Sequence, residues 1–311
     1  MSILLFAVLN TVFVVLISPL FISLIKIVKA FTQGRRGPPL LQTYYLLSKL
    51  LRKENIYSTN TSVIMRITPY VNIVFVLTAS LFVPFVFIPP PVVGIGNIIL
   101  FLYLLVCAKF FMALAGLDAG STFGGMGSSR EMTFSAIVEP VVIAAFAALA
   151  LVMQSTNFHE MFASALQSSL FINPATLLIA PSLFIILIVE TSRIPVDNPE
   201  THLELTMIHE AMVLEYSGPN LALMETAHAV KQTLLMGILI NTVIPWGLTT
   251  TPTLASIPVA MVMFVVKGAA LAIGVGFFES MVAKARLFHL PALFMLAFFF
   301  SFSTILFELL A

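Results

Sequence analysis

Eight apolar segments divide the chain and constrain its fold more than any other feature. They lie near Ile3–Ile25, Thr68–Ile88, Ile95–Ala115, Phe134–Gln154, Ala175–Glu190, Gln232–Leu248, Ile257–Phe278 and Leu290–Leu310. A helix crosses a bilayer with about 20 residues, and these segments reach or approach that length. The chain is 59% hydrophobic and 9% charged, whereas soluble domains are about 25% charged. The sequence therefore predicts an all-α membrane protein, with one integral domain over residues 1–311 and a bundle of eight transmembrane helices.

Lysine and arginine are confined to alternate connections between these segments. The stretch from Lys26 to Arg66 contains eight of the 15 lysine and arginine residues, whereas residues 89–94, 155–174 and 249–256 contain none. The positive-inside rule predicts that both termini face outward and that four connections are cytoplasmic, at about 26–67, 116–133, 190–231 and 279–289. The first segment lacks the basic leader and the cleavage site of a signal peptide. We expect a multi-pass protein of the inner (cytoplasmic) cell membrane.

The composition excludes several kinds of site. A net charge of +1 provides no basic surface for nucleic acid. The single cysteine, Cys107, excludes a disulfide framework and an iron–sulfur cluster held by this chain alone. His209–Glu210 is followed by Val213 where a zinc-protease motif needs its second histidine, and residues 115–131 lack the lysine of a phosphate-binding loop. We predict no metal and no redox cofactor in this chain.

The first two cytoplasmic connections contain candidate docking residues. Leucine and tyrosine recur at helical spacing within residues 34–54, with basic residues towards the end, which predicts an amphipathic helix on the membrane surface. Arg35 and Arg36 precede a Gly–Pro turn, where they are expected to bind a carboxylate of a partner or of this chain. In the second connection Asp118, Arg130 and Glu131 are candidates either for a buried polar network or for ordinary loop salt bridges.

The third connection, residues 190–231, concentrates acidic side chains. It contains seven of the 14 acidic residues of the chain: Glu190, Asp197, Glu200, Glu204, Glu210, Glu215 and Glu225. Asn198–Pro199 is typical of a helix start and Ser217–Gly218–Pro219 of a helix end. A helix between them would put Glu200, Glu204 and Glu215 on one face. That face is either a functional cluster or a solvated acidic surface.

Charged residues also occur within the apolar segments. Lys109, Glu139 and Lys267 lie inside predicted spans, and Glu190 and Glu279 lie at the cytoplasmic ends of spans. A charge at the bilayer centre costs at least ~2.5 kcal/mol, so such residues should face the bundle interior and pair with one another. Lys109 and Glu139 either pair or extend towards the membrane surface. Together with the acidic connection, these residues predict a polar path for a proton or Na⁺ from the cytoplasm to mid-membrane.

Several motifs identify a family resemblance. They are Arg35–Pro38, Gly116–Asp118, Ser129–Glu131, Glu190–Asp197 and Glu215–Gly218. With these motifs the chain resembles, over nearly its whole length, the complex I subunit 1 family, the quinone-site membrane subunit of NADH dehydrogenase. It is most similar to the counterpart in membrane-bound group 4 NiFe hydrogenases and formate hydrogenlyase-type complexes. Val196 and the short Pro39–Leu40 connection depart from the quinone-reducing members, which puts a working quinone pocket in doubt.

The resemblance implies a membrane-anchor and coupling subunit of an oxidoreductase complex, without catalytic residues of its own. Its implied partners are hydrogenase-like large and small subunits, an iron–sulfur protein and antiporter-like membrane subunits, and the partners hold the NiFe centre and iron–sulfur clusters. The implied coupling residues are Glu190, Arg193, Asp197, Glu204, Glu210 and Glu215. A quinone-binding subunit and the same module in a sulfur-reducing complex remain alternatives. An independent secondary transporter would show internal repeats, and none is evident.

Overall fold

The computed structural model describes residues 3–59, 61–88, 96–167, 173–197, 207–250, 256–285 and 289–310. Within these ranges the chain is helical, and its only β-type pairings are isolated bridges between Phe87 and Thr249 and between Asn97 and Asn157. The helices are α1 (Ile3–Thr32), α2 (Gln42–Leu51), α3 (Val63–Phe82), α4 (Ile98–Asp118), α5 (Thr122–Val152), α6 (Phe158–Gln167), α7 (Pro174–Glu190), α8 (His209–Val213), α9 (Gly218–Val243), α10 (Ser256–Met281) and α11 (Leu290–Leu310).

Six of these helices, α1, α3, α4, α5, α10 and α11, are long and apolar enough to cross a membrane. The apolar helix α7 has 17 residues, and α9 has 26 residues but also carries Glu225, Lys231 and Gln232. Each of the eight predicted apolar segments overlaps one of these eight helices. The predicted all-helical membrane fold is therefore confirmed. The surface helix predicted in the first connection forms as α2, which buries Thr43 and Leu50 and exposes Lys49.

Helix α9 runs through the centre of the bundle. It packs against α1, α2, α3, α7 and α10, and consecutive residues from Gln232 to Thr242 are all buried. A helix surrounded by other helices does not need an apolar surface for lipid. This explains why α9 is the most polar of the long helices and why its charged side chains lie inside the protein.

Side-chain caps start four of the long helices. Ser62, Asn97, Ser121 and Asn173 each accept a hydrogen bond from a backbone N–H in the first turn of α3, α4, α5 and α7. These caps satisfy N–H groups that have no partner within the helix. The starts of these four helices are therefore encoded locally.

The second predicted span extends to Ile88, but α3 ends at Phe82. Residues Val83 to Ile88 are buried without forming a helix. The Asn10 amide exchanges hydrogen bonds with the backbone of Val86 and Phe87, and the Asn241 amide donates to the carbonyls of Pro84 and Phe85 at 3.2 and 3.4 Å. Two buried asparagines therefore replace the helical hydrogen bonds of this segment.

The second cytoplasmic connection, predicted at residues 116–133, is mostly helical because α5 begins at Thr122. Three of its glycines, Gly116, Gly124 and Gly127, lie where helices approach closely. A side chain at Gly124 would meet the Gly116 backbone of α4, and one at Gly127 would meet Ala211 of α8. The Gly- and Ser-rich composition that favours a loop in the sequence therefore serves helix packing.

The motif Ser217–Gly218–Pro219 begins a helix instead of ending one. Gly218 is the first residue of α9, and Pro219 lies in its first turn, where the missing proline N–H carries no penalty. Between Met207 and Ser217 only His209–Val213 is helical, so Met207, Ile208 and residues 214–217 do not form the predicted acidic helix. Glu200 and Glu204 lie outside the described residues.

Candidate functional site

Charged side chains gather inside the bundle at one end, where α1, α7 and α10 finish and α9 begins. We call this the charged end. Its centre is Glu190, the last residue of α7, whose side chain is 7% exposed. The Glu190 carboxylate accepts hydrogen bonds from Lys109 Nζ of α4 at 2.9 Å and from Lys231 Nζ of α9 at 2.8 Å. One carboxylate therefore joins three helices through two buried ion pairs.

A second set of ion pairs surrounds Arg193. Its Nη1 lies 3.2 Å from Glu279 Oε1 on α10, and its Nη2 donates to Gln232 Oε1 on α9. Lys29 Nζ of α1 lies 3.8 Å from the other oxygen of Glu279. The Nε of Arg193 is buried without a hydrogen-bond partner in the described structure. Because Gln232 follows Lys231 in α9, the two sets of ion pairs adjoin.

Asp197 fixes the path of the chain after α7. Its side chain is 1% exposed, and Oδ1 binds Lys284 Nζ at 3.0 Å. Its Oδ2 accepts hydrogen bonds from the backbone N–H groups of Ile208 and His209 at 2.9 and 3.1 Å. These are the N–H groups at the start of α8, which a carboxylate favours. Asp197 therefore sets where α8 begins, which explains why the predicted acidic helix is absent from residues 207 and 208.

His209, Glu210, Glu225 and His228 line a small cavity of about 60 Å³ between α1, α8 and α9, beside Arg193 and Asp197. The rings of His209 and His228 lie 4.8 Å apart. Burial, together with the carboxylates of Glu225 and Asp197, raises the pKa of Glu210 to about 7. Burial, with a contribution from the Lys231 charge, lowers the pKa of His209 to about 4. Glu210 is thus set to exchange a proton near neutral pH.

A larger cavity of about 300 Å³ opens between α4 and α5, and its walls are mostly apolar. Lys109, Glu190 and Glu139 line it as well. Two smaller cavities, of about 30 and 20 Å³, bring Glu131 to the same Lys109–Glu190 pair. Lys109 bonds to Glu190, so the alternative that Lys109 and Glu139 pair with each other is not observed.

Lys267 lies apart from this network. Its Nζ donates to the carbonyls of Ile244 at 2.9 Å and Trp246 at 2.7 Å, and it lies 3.5 Å from Asn241 Oδ1. These oxygens follow or belong to the last turns of α9, so the ammonium sits at the helix C-terminus, where a positive charge is favoured. The contacts are those of a helix cap at the end of α9 opposite the charged end.

The candidate docking residues differ in their surroundings. Arg35 and Arg36 are exposed. Asp118 accepts hydrogen bonds from the backbone N–H groups of Ser62 and Met65, both at 3.0 Å, at the start of α3. Arg130 donates to the Met207 carbonyl at 3.0 Å. Asp118 and Arg130 therefore bind partners within the chain, whereas the side chains of Arg35 and Arg36 are exposed on the protein surface.

Sequence analysis missed several members of the network. Lys29, His228, Gln232 and Lys284 were not among the predicted site residues. One signal was available, because Glu225, His228 and Gln232 recur at i, i+3 and i+7 and so share a face of α9. Lys29 and Lys284 carried no such signal, since lysines at the ends of membrane helices usually mark topology. Among the described residues, no group of three or more His, Cys, Asp and Glu is arranged to hold a metal ion.

The fold and the site define a class: a helical membrane protein with a network of ion pairs buried at one end of its bundle. The chain belongs to the NADH dehydrogenase (complex I subunit 1-like) family, since the family's sequence model matches residues 4–309. This confirms the resemblance predicted from the motifs.

Two relatives from Escherichia coli (strain K12) are each 30% identical to this chain. Hydrogenase-4 component C aligns over 281 residues, 90% of this chain and 88% of that protein. Formate hydrogenlyase subunit 4 aligns over 286 residues, 92% of each. The fold is similar to a chain of the membrane-bound sulfane sulfur reductase (MBS), an archaeal respiratory membrane complex, with a TM-score of 0.80, 17% identity and coverage of 98% of this chain and 100% of that chain.

Proposed function

We propose that this chain is the membrane-anchor and coupling subunit of a respiratory, complex I-like group 4 NiFe hydrogenase. It docks a soluble electron-transfer arm and links its redox chemistry to translocation of protons or Na⁺. The two E. coli relatives, 30% identical over at least 90% of this chain, support the hydrogenase assignment. Cys107 alone cannot supply the thiolates of an iron–sulfur cluster. The NiFe centre and the clusters therefore belong to hydrogenase-like large and small subunits and an iron–sulfur protein.

The proposal includes the topology of the subunit in the membrane. Helices α7 and α9 cross the bilayer together with α1, α3, α4, α5, α10 and α11, which gives eight spans in one domain. The charged end faces the cytoplasm and both termini face outward, in the inner membrane of the cell. The basic residues between Lys26 and Arg66 support this orientation. The exposed Arg35 and Arg36 then lie on the face that the soluble arm would dock against.

The observation that carries the coupling role is the position of Glu190 between Lys109 and Lys231, at 2.9 and 2.8 Å. Two unit charges 4 Å apart interact by about 4 kcal/mol at an effective dielectric constant of 20. Moving or neutralising one charge therefore changes the protonation that its neighbours prefer. A redox event in the docked arm would act first on the Asp197–Glu210 region, and Glu190 would transmit the change to Lys109 and antiporter-like membrane subunits.

The cavity beside His209 gives less support to a quinone-binding role. The space beside His209 and Arg193 is about 60 Å³, whereas pockets for small molecules usually measure about 300–1,000 Å³. The similarity to the sulfane sulfur reductase chain concerns the fold alone. A sulfur-reducing complex is therefore an alternative, and the subunits that co-purify with this chain distinguish it from a hydrogenase.

Purification of the assembly through an affinity tag on this chain tests the partner assignment. We expect a nickel-containing large subunit and iron–sulfur proteins in the preparation. Membrane vesicles then test coupling, with reduced methyl viologen as electron donor, hydrogen measured by gas chromatography and ion movement by a pH-sensitive dye or ²²Na⁺. Glu190→Gln should lower ion movement per hydrogen about tenfold, because a loss of about 1.4 kcal/mol of coupling is enough for that factor.

The matched control is Glu160→Gln in α6, because the Glu160 carboxylate bonds to Ser155 far from the network. We expect this control to match the unsubstituted complex in both measurements. Full ion movement in Glu190→Gln, in an intact complex, would exclude the coupling role. An assembly without nickel, active with a quinone or with polysulfide, would replace the hydrogenase assignment.

A further inference from the structure

The cavity between α4 and α5 is open on the outside of the bundle. Tyr103 of α4 and Ile143 of α5 line it and are 65% and 59% exposed. Both residues lie within helices long and apolar enough to cross the membrane. The floor of the cavity is formed by Leu235 of α9 and Ile186 of α7. The opening therefore faces the region that lipid or another membrane protein occupies.

Glu139 makes this cavity unusual for a surface that faces lipid. It lies in the 18th position of the 31-residue helix α5, well inside the span. Within the described residues its carboxyl group forms no hydrogen bond and no ion pair. Lys109, the cation among the described residues that line the cavity, acts on Glu139 only through its charge, because its Nζ bonds to Glu190. In the described structure Glu139 thus places an acidic group against apolar walls without a hydrogen-bond donor.

Lipid acyl chains do not satisfy such a group. A lipid acyl chain has no hydrogen-bond donor, and an unpaired charge at membrane depth costs at least ~2.5 kcal/mol. Lys109 and Glu190, the polar groups that share the cavity with Glu139, bond to each other. Charge complementarity therefore calls for a cationic side chain that enters from outside the chain.

We infer that the α4–α5 cavity is the docking site for a membrane-spanning helix of another subunit, which inserts a lysine or arginine side chain to pair with Glu139. The inference rests on the proposed membership in a multi-subunit membrane complex. Beyond that membership, the inference specifies the surface between α4 and α5, a positive charge on the partner helix, and Glu139 as the residue that pairs with it. The pair would join that subunit to the Lys109–Glu190 ion pair, which lines the same cavity.

Photo-crosslinking in the intact complex tests the occupant of the cavity. p-Benzoylphenylalanine replaces Tyr103, and the same amino acid replaces Tyr70 of α3 as a matched control, because Tyr70 is a 53% exposed tyrosine that does not line the cavity. We expect Tyr103 to crosslink to a transmembrane segment of a co-purifying subunit, mapped by mass spectrometry, with a lysine or arginine within two helical turns of the crosslink. We expect Tyr70 not to crosslink to that segment.

Charge exchange then tests the pair. Glu139→Lys should reduce recovery of the crosslinked subunit at least about tenfold, since like charges placed together cost several kcal/mol, and a lysine-to-glutamate change in the mapped segment should restore it. Glu139→Gln, which keeps the shape, should give a smaller loss. If Glu139→Lys does not accumulate, replacement of the mapped lysine by methionine in the partner gives the same measurement without changing this chain, and reduced recovery is expected.

Three results would overturn the inference: only lipid adducts at Tyr103, a crosslinked segment without a lysine or arginine, or unchanged recovery after the partner's lysine is replaced. The proposed function is judged separately in the same preparation. Recovery of nickel and of the soluble subunits supports it, even when the Tyr103 crosslink shows that lipid fills the cavity.

Discussion

Glu190 connects two of the buried ion pairs, those with Lys109 and with Lys231. It is a carboxylate with two lysine partners and almost no exposure to solvent. Burying ions is costly, and the cost is offset only while every partner remains in place. The network is therefore sensitive to the loss of a single side chain, and stability and function are best separated by changing charge and shape independently.

Glu190→Ala should destabilise the subunit by about 3–5 kcal/mol, because Lys109 and Lys231 would remain buried without a counter-charge. Combining it with Lys109→Met and Lys231→Met should recover most of the loss. Thermal unfolding of the purified complex measures both effects. Glu160→Ala serves as the surface control and should stay within about 0.5 kcal/mol of the parent. A single Glu190→Ala variant as stable as the parent would contradict the structural importance of the ion pairs.

Glu210 should give the activity a pH dependence near neutrality. Its pKa in the folded protein is about 7, above the ordinary value of 4.5. The folded state therefore favours the protonated form, and the stability from this preference is present at low pH and declines as pH rises from about 4.5 to about 7. We expect ion movement per hydrogen to change around pH 7 and Glu210→Gln to remove that inflection. Glu210→Gln should also raise the unfolding temperature at pH 8 relative to the parent but leave it unchanged at pH 4. An unaltered pH profile in this variant would assign the inflection to another group.

At the scale of helices, the sequence predicted where the helices lie along the chain better than where each one begins and ends. The eight apolar segments each overlap a helix. In hydrocarbon the backbone N–H and C=O groups of an apolar segment must bond to one another, and a helix achieves this. Boundaries failed where tertiary contacts decide them. Phe82 ends α3 because two distant asparagines hydrogen-bond to the backbone that follows it. Residues 122–133, predicted as part of a connection, instead form the first turns of α5, which pack closely against α4 and α8 at Gly124 and Gly127.

The site was predictable in composition but not in pairing. The sequence indicated Lys109, Glu190 and Glu279 as buried charges, since each lies in or at the end of an apolar run. It did not indicate that Lys109 pairs with Glu190 instead of Glu139, because that choice depends on how α4, α5 and α7 are arranged. Asp197 likewise looked like one acidic residue among seven, and only its contacts with Ile208 and His209 show that it begins a helix.

A substitution of Lys267 can show whether this residue caps the end of α9 or belongs to the ion path. Lys267→Met removes two donors from the carbonyls of Ile244 and Trp246, and we expect a loss of about 1–3 kcal/mol of stability. Hydrogen exchange should increase at residues 244–250, while ion movement per hydrogen stays near the parent value. Lys267→Arg, which keeps the charge and donors, should retain most of the stability. Unchanged stability with lost ion movement would instead make Lys267 part of the ion path, as the sequence analysis predicted.

At the scale of the whole molecule, the two ends of the bundle differ in their polar groups. The charged end contains buried ion pairs and most of the lysines and arginines. The opposite end contains buried asparagines, the non-helical residues 83–88 and the cap by Lys267. In the proposed topology the first end meets the cytoplasm and a soluble arm, whereas the second meets the outside.

Cysteine labelling should establish that orientation. In a Cys107→Ser background, Arg36→Cys and Thr250→Cys each provide an exposed thiol, at the charged end and at the opposite end respectively. An impermeant maleimide added to sealed right-side-out vesicles should label Thr250→Cys and spare Arg36→Cys, and inverted vesicles should reverse the result. Labelling of both thiols from the same side would contradict the eight-span topology.

The hydrogen bonds of Asn10 and Asn241 to residues 84–87 have a mechanical consequence for α9. Asn241 ties α9 to the segment after α3, Asn10 ties that segment to α1, and Lys267 ties the last turns of α9 to α10. These hydrogen bonds resist sliding of α9 along its axis. The other end of α9 is held by contacts of a different kind, the ion pair of Lys231 with Glu190 and the hydrogen bonds of Asn220 with Asn55 and Tyr57. Lys231 lies about three turns from Asn241, so a rearrangement of charge beside it would tilt α9 about its uncharged end.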